Sequence, residues 1–585
     1  MTEYFLQREK RKVSLGQREF KADGGEGVVY VAGSTAYKVY HDPAQMIPAA
    51  KIQELSVLNL PEIVRPDDIL LNDRNTAVGY SMRSVPDSFA LCQVFPKSFR
   101  DRSGITANTM AKLVQKLQEL VKHCHSKGIL IVDLNEMNFL LGKDFKVLYA
   151  VDVDSFQTRS FPATALMDSV RDRHAAGVFT ELTDWFSFAV VSFQMFVGIH
   201  PFKGKHPVWK TLDERMVNHC SVFNADVGIP AAVLPLDVIP EAYRQWYRAV
   251  FDGGKRTAPP GKLTDVIVLA PVTVKASNPG GAFTVTLMLD TAALTIPSPV
   301  TPSVSSPASH PRTITHHERN VTVTSDAVFV GQGCAAVITG PVVVAFTPRY
   351  GRPIVAQIEL GHLVFWDLAA RQALPARIAA DQVMATEGRI YAKNGGTVSE
   401  ILFIEAPNSV SGVNATQITL RAAASVSDLA TTLYDGIAIQ QALGTWYASF
   451  FPESGSHYSL RLTDLQGYRV VDAKYEGQVL IVAANRDGRY DRLVFRFEKD
   501  FSAWDVRITQ DTGAHTPNFV VLDNGVVIAI NERDEVEIFS SRRGSTGMKV
   551  IADPAIGGDC RLFKNGTQAL FARGGQLYQF SVKVT

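Results

Sequence analysis

Four short segments near the start of the chain carry side chains able to handle a phosphate, a hard cation or a proton. The first, Asp23-Gly24-Gly25-Glu26-Gly27-Val28, is a glycine-rich turn between two β-like runs. Glycines let a backbone approach a phosphate closely, and their exposed N–H groups solvate its charge. By itself such a turn is in most chains only a hairpin. In the second segment, Ala36-Tyr37-Lys38-Val39-Tyr40, a lysine stands among apolar and aromatic residues, where an ordinary lysine would snorkel to the surface. The third follows His123-Cys124-His125 and holds Asp133 and, five positions later, Asn138. In the fourth, an apolar strand closes on Asp152, with Asp154 two residues on. Asparagine and aspartate oxygens are hard donors, which suit Mg²⁺ or Mn²⁺ rather than zinc.

In this order the segments resemble the catalytic core of protein kinases, of the bacterial or phage Ser/Thr type. Asp133-Leu134-Asn135-Glu136-Met137-Asn138 is similar to the H-R-D-L-x-x-x-N loop, with Ile131 and Val132 in place of the His and Arg. The resemblance implies that Asp133 accepts the proton of a substrate hydroxyl and that Asn138 ligates the metal. It implies that Lys38 bridges the nucleotide phosphates, held by a glutamate of the next helix. Glu54, in the helical pattern over 49–60, is the candidate, with Glu62 as second choice. Gly24, Gly25, Gly27 and Val28 would cover the nucleotide. Asp152 resembles the D-F-G aspartate, reading D-V-D here; Asp154 either adds a second metal ligand or is a solvated turn residue. The D-x-D-S-F wording is also similar to bacterial kinase-like proteins found beside phosphatase and von Willebrand-type modules. Loss of the Arg before Asp133 argues against control by activation-loop phosphorylation.

The elements that must position these residues are also suggested by pattern. Leu113, Leu117, Leu120 and Val121 recur at the spacing of a buried helix face, and a second helical pattern runs over 185–196. The stretch from Thr183 to Phe202 resembles the D-x-W-S…P-F helix of the kinase C-lobe, whose aspartate, here Asp184, ties down the catalytic-loop backbone. Arg256 resembles the late arginine that pairs with the glutamate of A-P-E, for which Glu181 is the candidate. The fold expected is therefore multidomain: an α+β bilobal protein-kinase fold over 1–262 (N-lobe about 15–85, C-lobe about 86–262). A β-rich extension and Pro/Ser-rich linker follows over 263–312.

Residues 313–585 change texture, to short Val/Ile/Phe/Tyr runs punctuated by Gly, Asn and Asp. A turn glycine followed by an apolar strand recurs at Gly340, Gly388, Gly436, Gly477, Gly525 and Gly566, spaced 41–48 residues apart. A period in the forties is what one four-stranded propeller blade consumes, so an all-β propeller of about six blades is expected. Its last strand, 576–584, would close the ring against material near 320–331.

Composition bounds the function. At 585 residues the chain is too long for one core. A net charge of +1 recruits neither nucleic acid nor an acidic membrane. Five scattered cysteines, with no C-x-x-C pair, fit a reducing compartment. With no signal-peptide pattern and no long apolar run, the default location is the cytoplasm. The expectation is an ATP- and Mg²⁺- or Mn²⁺-dependent Ser/Thr kinase acting on a protein substrate, with a protein partner at the propeller. The alternatives are a nucleotide-binding pseudokinase or scaffold and, third, a small-molecule phosphotransferase.

Overall fold

The computed structural model describes residues 1–175, 177–261, 281–296, 312–407, 414–452, 457–513 and 516–583. The β-like run at 266–274 and most of the Pro/Ser-rich stretch, 297–311, lie outside these.

The chain opens with strands β1 (Thr2–Leu6), β2 (Arg11–Leu15), β3 (Phe20–Asp23), β4 (Gly27–Ala32) and β5 (Thr35–Tyr40), then helix α1 (Ala49–Leu55), β6 (Asp68–Leu71) and β7 (Ala77–Arg83). The strands form one seven-stranded sheet in the order β2-β1-β6-β7-β5-β4-β3. The sheet begins at Thr2, because β1 pairs with β6 and extends it beyond the stretch from about residue 15. Two glycines are required by close approach. A Cβ at Gly27 would strike the Val39 carbonyl, and one at Gly79 the Lys38 carbonyl, so both strands flanking β5 can press against it.

The helical lobe follows: β8 (Ser88–Ala90), α2 (Lys97–Ser103), α3 (Ala107–Ser126), β9 (Phe139–Gly142), β10 (Leu148–Ala150), α4 (Glu181–Val197), α5 (Leu212–Val217) and α6 (Glu241–Phe251). Thr106 caps α3, its side chain accepting from the Thr109 N–H at 3.2 Å, and the i/i+3/i+4 positions Leu113, Leu117, Leu120 and Val121 are buried. Helix α4 is buried on nearly all its faces and runs through the core, where Phe188, Phe193, Tyr243, Tyr247 and Phe251 pack together. Arg100, itself buried, closes the C-terminus of α4 by donating to the Phe196 and Gln194 carbonyls at 2.8 and 3.2 Å; the first is an acceptor that the helix end leaves open, and the second also accepts from the Gly198 N–H at 2.8 Å.

Beyond this lobe the described residues form strands joined by turns and two short 3-10 helices, 291–293 and 463–465. Six four-stranded antiparallel sheets are built from consecutive strands within 314–337, 343–379, 382–425, 431–461, 469–509 and 519–551. A seventh joins Arg561–Asn565, Gln568–Arg573 and Gln576–Val582 to β11 (Phe283–Asp290), a strand some 290 residues earlier. The last strand thus pairs with Phe283–Asp290, Phe283 opposite Val582, and not with the region of 320–331, whose strands lie inside their own sheet. The reason for counting about six units is also visible. Gly388, Gly436, Gly477, Gly525 and Gly566 all sit at positive φ between the first and second strands of their sheets. The corresponding turn of the 343–379 sheet uses Gly351, and that of the first sheet uses Arg319 at φ 53°, with no glycine to mark it. Gly340 lies in a connection between sheets.

Candidate functional site

Lys38 lies in the middle of β5 and is 6% exposed. Its ammonium donates to Asp154 Oδ2 at 2.6 Å and to Glu26 Oε2 at 2.8 Å. Burial opposes the charge, but Asp154 and then Asp152 outweigh it and hold the ammonium above its ordinary range. Asp154 accepts a second bond on the same oxygen from the Tyr40 hydroxyl at 2.6 Å. Burial would raise its carboxyl, yet Lys38 and these hydrogen bonds bring it below the usual carboxylate value. The glycine turn closes over this pair: the Gly24 N–H donates to the Gly27 carbonyl at 3.0 Å, and the His41 N–H to the Glu26 carbonyl at 2.9 Å.

The helix glutamate expected to hold Lys38 does not. Glu54 accepts instead from the Ser160 N–H at 3.2 Å, and the Glu62 carbonyl takes the Ala150 N–H at 2.9 Å. Helix α1 is shorter than the pattern over 49–60, and the side chains it buries are Lys51, Ile52 and Leu55. Glu54 is off that face. Lys38 draws its carboxylates from the glycine turn and from the turn after β10.

Across the cleft, Asp133 is buried, at 7% exposure. Its Oδ2 accepts from Asn138 Nδ2 at 3.1 Å, and the same amide donates to the Asp133 carbonyl at 3.0 Å. The five-residue spacing thus closes into one compact loop. Asp184 fixes it from below, accepting from the N–H groups of Ile131 and Val132, each at 2.8 Å, and from His125 Nε2 at 2.9 Å. Val132 sits at φ 62°, a conformation a β-branched residue reaches only when its surroundings impose it. Asp152 is brought beside this loop because the Val151 N–H donates to the Asn138 carbonyl at 2.9 Å. Protein atoms crowd its carboxyl and push it up, but the residue stays open to solvent and so accessible to a ligand.

The remaining oxygen of Asp133 is engaged: Oδ1 accepts from the Met167 N–H at 2.7 Å. Met167 is pressed in turn by Gly488, where a Cβ would come within 2.6 Å of the methionine side chain. Gly488 lies in the turn between strands Val479–Arg486 and Arg489–Phe497 of the all-β region. The same hairpin sends the Tyr490 hydroxyl to Glu136 Oε1 at 2.8 Å, and Val471 and Tyr490 are part of the helical lobe's core. Further contacts follow the cleft's rim. Gln93 Nε2 donates to the Val471 carbonyl at 3.2 Å, the Asp23 N–H to Gln441 Oε1 at 3.2 Å, and Lys21 Nζ to the Leu429 carbonyl at 2.8 Å. None of Tyr490, Glu136 or Met167 was expected from sequence, since nothing local marks a contact more than 300 residues away.

Arg256 pairs bidentately with Asp172, at 2.6 and 2.7 Å, and not with Glu181, whose carboxylate lies 3.7 Å from His125 Nδ1. Asp172 sits in the segment between the cleft and α4, where the arginine ties it down.

No family model matches the chain. Over 200 residues it is 24% identical to Tribbles homolog 3 of Mus musculus, an alignment covering 30% of this chain and 53% of that protein. The chain thus spans about half the length of the curated relative it matches. Among solved structures it overlaps one described as the ROP18 kinase domain in complex with AMP-PNP and sucrose, at 15% identity and a TM-score of 0.31, over 44% of this chain and 80% of that one. By its own architecture the N-terminal region is a seven-stranded sheet followed by a helical lobe, and the described residues of the C-terminal region form four-stranded antiparallel sheets. Among the described residues no helix is long and apolar enough to cross a membrane.

Proposed function

We propose that the N-terminal region is an ATP-dependent phosphotransferase of the Ser/Thr protein kinase kind. The observation that carries this is the facing pair of assemblies: Lys38 fixed by Asp154 and Glu26 on one side, Asp133 and Asn138 locked in one loop on the other. A fixed cation positions a phosphate, and a carboxylate in a braced loop can take the proton of a hydroxyl.

The donor chemistry fits Mg²⁺ or Mn²⁺ held jointly by protein and phosphates. Asn138 and the solvent-open Asp152 supply hard oxygens. Asp154 is the weaker candidate, since Lys38 and Tyr40 share its Oδ2. The ion would neutralise phosphate charge. Lys38 orients the nucleotide, the glycine turn covers it, and Asp133 receives the acceptor's proton.

Seven four-stranded sheets, with the last closed by a strand from before the first, support a seven-bladed propeller for the C-terminal region. A propeller suits recognition of a protein partner or substrate. A second reading, a nucleotide-binding pseudokinase, is favoured by one feature: Asp133 Oδ1 is occupied by the Met167 N–H, where an acceptor hydroxyl would have to enter.

The test is transfer of labelled phosphate from ATP with Mg²⁺ to the protein itself and to generic substrates. Wild type should be active and Asp133→Asn inactive with ATP binding nearly intact. Equal background in both, with nucleotide bound, would favour the pseudokinase.

A further inference from the structure

Of the side chains that α1 buries, Ile52 and Leu55 join the apolar core, while Lys51 is a lysine with only 1% exposure. Its ammonium carries three donors and makes no hydrogen bond within the protein. An ordinary helix lysine would extend its stem to bring the charge to water. This one is held inward, on the face of α1 that packs against the Val153–Ser155 turn. The charges that act on it are Asp154 and Glu26; both already hold Lys38, and of Asp154 only the buried Oδ1 carries no hydrogen bond. Burying a donor without an acceptor is strongly unfavourable, and a neutral amine in that place would still leave its N–H groups unmet. One carboxylate oxygen cannot meet three ammonium donors, so even with Asp154 Oδ1 turned to Lys51 the cleft between glycine turn and Val153–Ser155 turn is short of acceptors, and a doubly or triply charged anion is the group that supplies them.

We propose that Lys51 is a second phosphate-binding residue of the cleft, donating to a phosphate oxygen of the bound nucleotide beside Lys38. This rests on the nucleotide-binding reading above. The two lysines differ in role. Lys38 is fixed by its carboxylates before any ligand arrives, whereas Lys51 gains its partner only with the ligand. The site should then discriminate by phosphate: ATP and ADP gain from Lys51, adenosine does not.

The experiment uses the full chain and competition against a fluorescent ATP analogue by ATP, ADP and adenosine, for wild type, Lys51→Met and Lys51→Arg. Loss of one charge-assisted hydrogen bond should weaken ATP and ADP about ten- to a hundredfold in Lys51→Met. Adenosine should be unchanged, and Lys51→Arg should recover part of the loss. Wild-type affinity for ATP in Lys51→Met would overturn the proposal while leaving nucleotide binding intact. No competition by any of the three in wild type would remove the nucleotide reading and this proposal with it. A second measurement needs no variant. An acyl-phosphate derivative of ATP transfers its acyl group to a lysine near the phosphates, the amine attacking the carbonyl and ATP leaving. Peptide mass spectrometry should find the amide on Lys51 as well as Lys38, both suppressed by excess ATP. Acylation of Lys38 with Lys51 untouched would refute the assignment.

Discussion

Asp184→Asn isolates the brace beneath the catalytic loop, because it changes charge and one donor–acceptor identity while keeping volume. Asp184 is fully buried and accepts three hydrogen bonds, from the Ile131 and Val132 N–H groups and from His125. An asparagine oxygen in the place of Oδ2 keeps the bonds from Ile131 and His125, now to a neutral acceptor. Its NH₂ then faces the Val132 N–H, donor against donor. Each bond to a buried carboxylate contributes about 1.5–3 kcal/mol. Losing one and weakening two costs roughly 3–5 kcal/mol, and the left-handed Val132 loses what holds it there. At about 2–4 °C per kcal/mol for a region of this size, the melting temperature should fall by roughly 10 °C, with phosphoryl transfer falling as the loop loosens. Scanning fluorimetry of wild type, Asp184→Asn and the exposed control Glu181→Gln reads the effect directly. A melting temperature within about 2 °C of wild type for Asp184→Asn would refute the brace, since that is less than one such bond.

Removing the Tyr490 hydroxyl with Tyr490→Phe leaves the buried Glu136 Oε1 without the hydroxyl that donates to it, and chemical denaturation should show a loss of about 1–3 kcal/mol; no change would mean the hairpin contact contributes little. The buried His200 supplies a pH signature. Burial holds its imidazole down to about 3, with one ring nitrogen donating to the Ser169 carbonyl at 2.8 Å and the other accepting from the Phe202 N–H at 3.2 Å. The unfolded chain takes up a proton below about 6.5 that the folded chain refuses until about 3. This contribution is therefore whole above about 6.5 and lost progressively as pH falls toward 3, at about 1.4 kcal/mol per pH unit. Urea midpoints from pH 7 to 4 should fall less steeply in His200→Gln than in wild type; parallel slopes would contradict the assignment.

What could be read from sequence was what depends on local spacing. Asp133 and Asn138 close one loop through a single amide, so their separation along the chain is itself the constraint. The Lys38 partner failed for a local reason as well: α1 ends at Leu55, and its buried face carries Lys51, four residues before Leu55, rather than Glu54. That i, i+4 relation was visible, but a lysine in it reads as surface. Arg256 and Asp172 are 84 residues apart, and an acidic residue chosen by distance to a missing A-P-E triplet had no geometric support. The repeat units were undercounted because one turn reaches positive φ with Arg319 instead of glycine.

The hairpin bearing Gly488 and Tyr490 has a consequence for how the chain folds. Val471 and Tyr490 complete a core whose other members end at Phe251, so part of the helical lobe's interior is supplied by residues made more than 200 positions later. During synthesis, the earlier lobe waits with Glu136 lacking its Tyr490 partner until the fifth of the seven sheets arrives. A chain cut before that sheet would expose this layer and melt earlier than the intact protein, by an amount that reflects the missing neighbour rather than any defect in its own sequence. The change of texture near residue 313 is thus no boundary of packing, because the core of the helical lobe reaches across it.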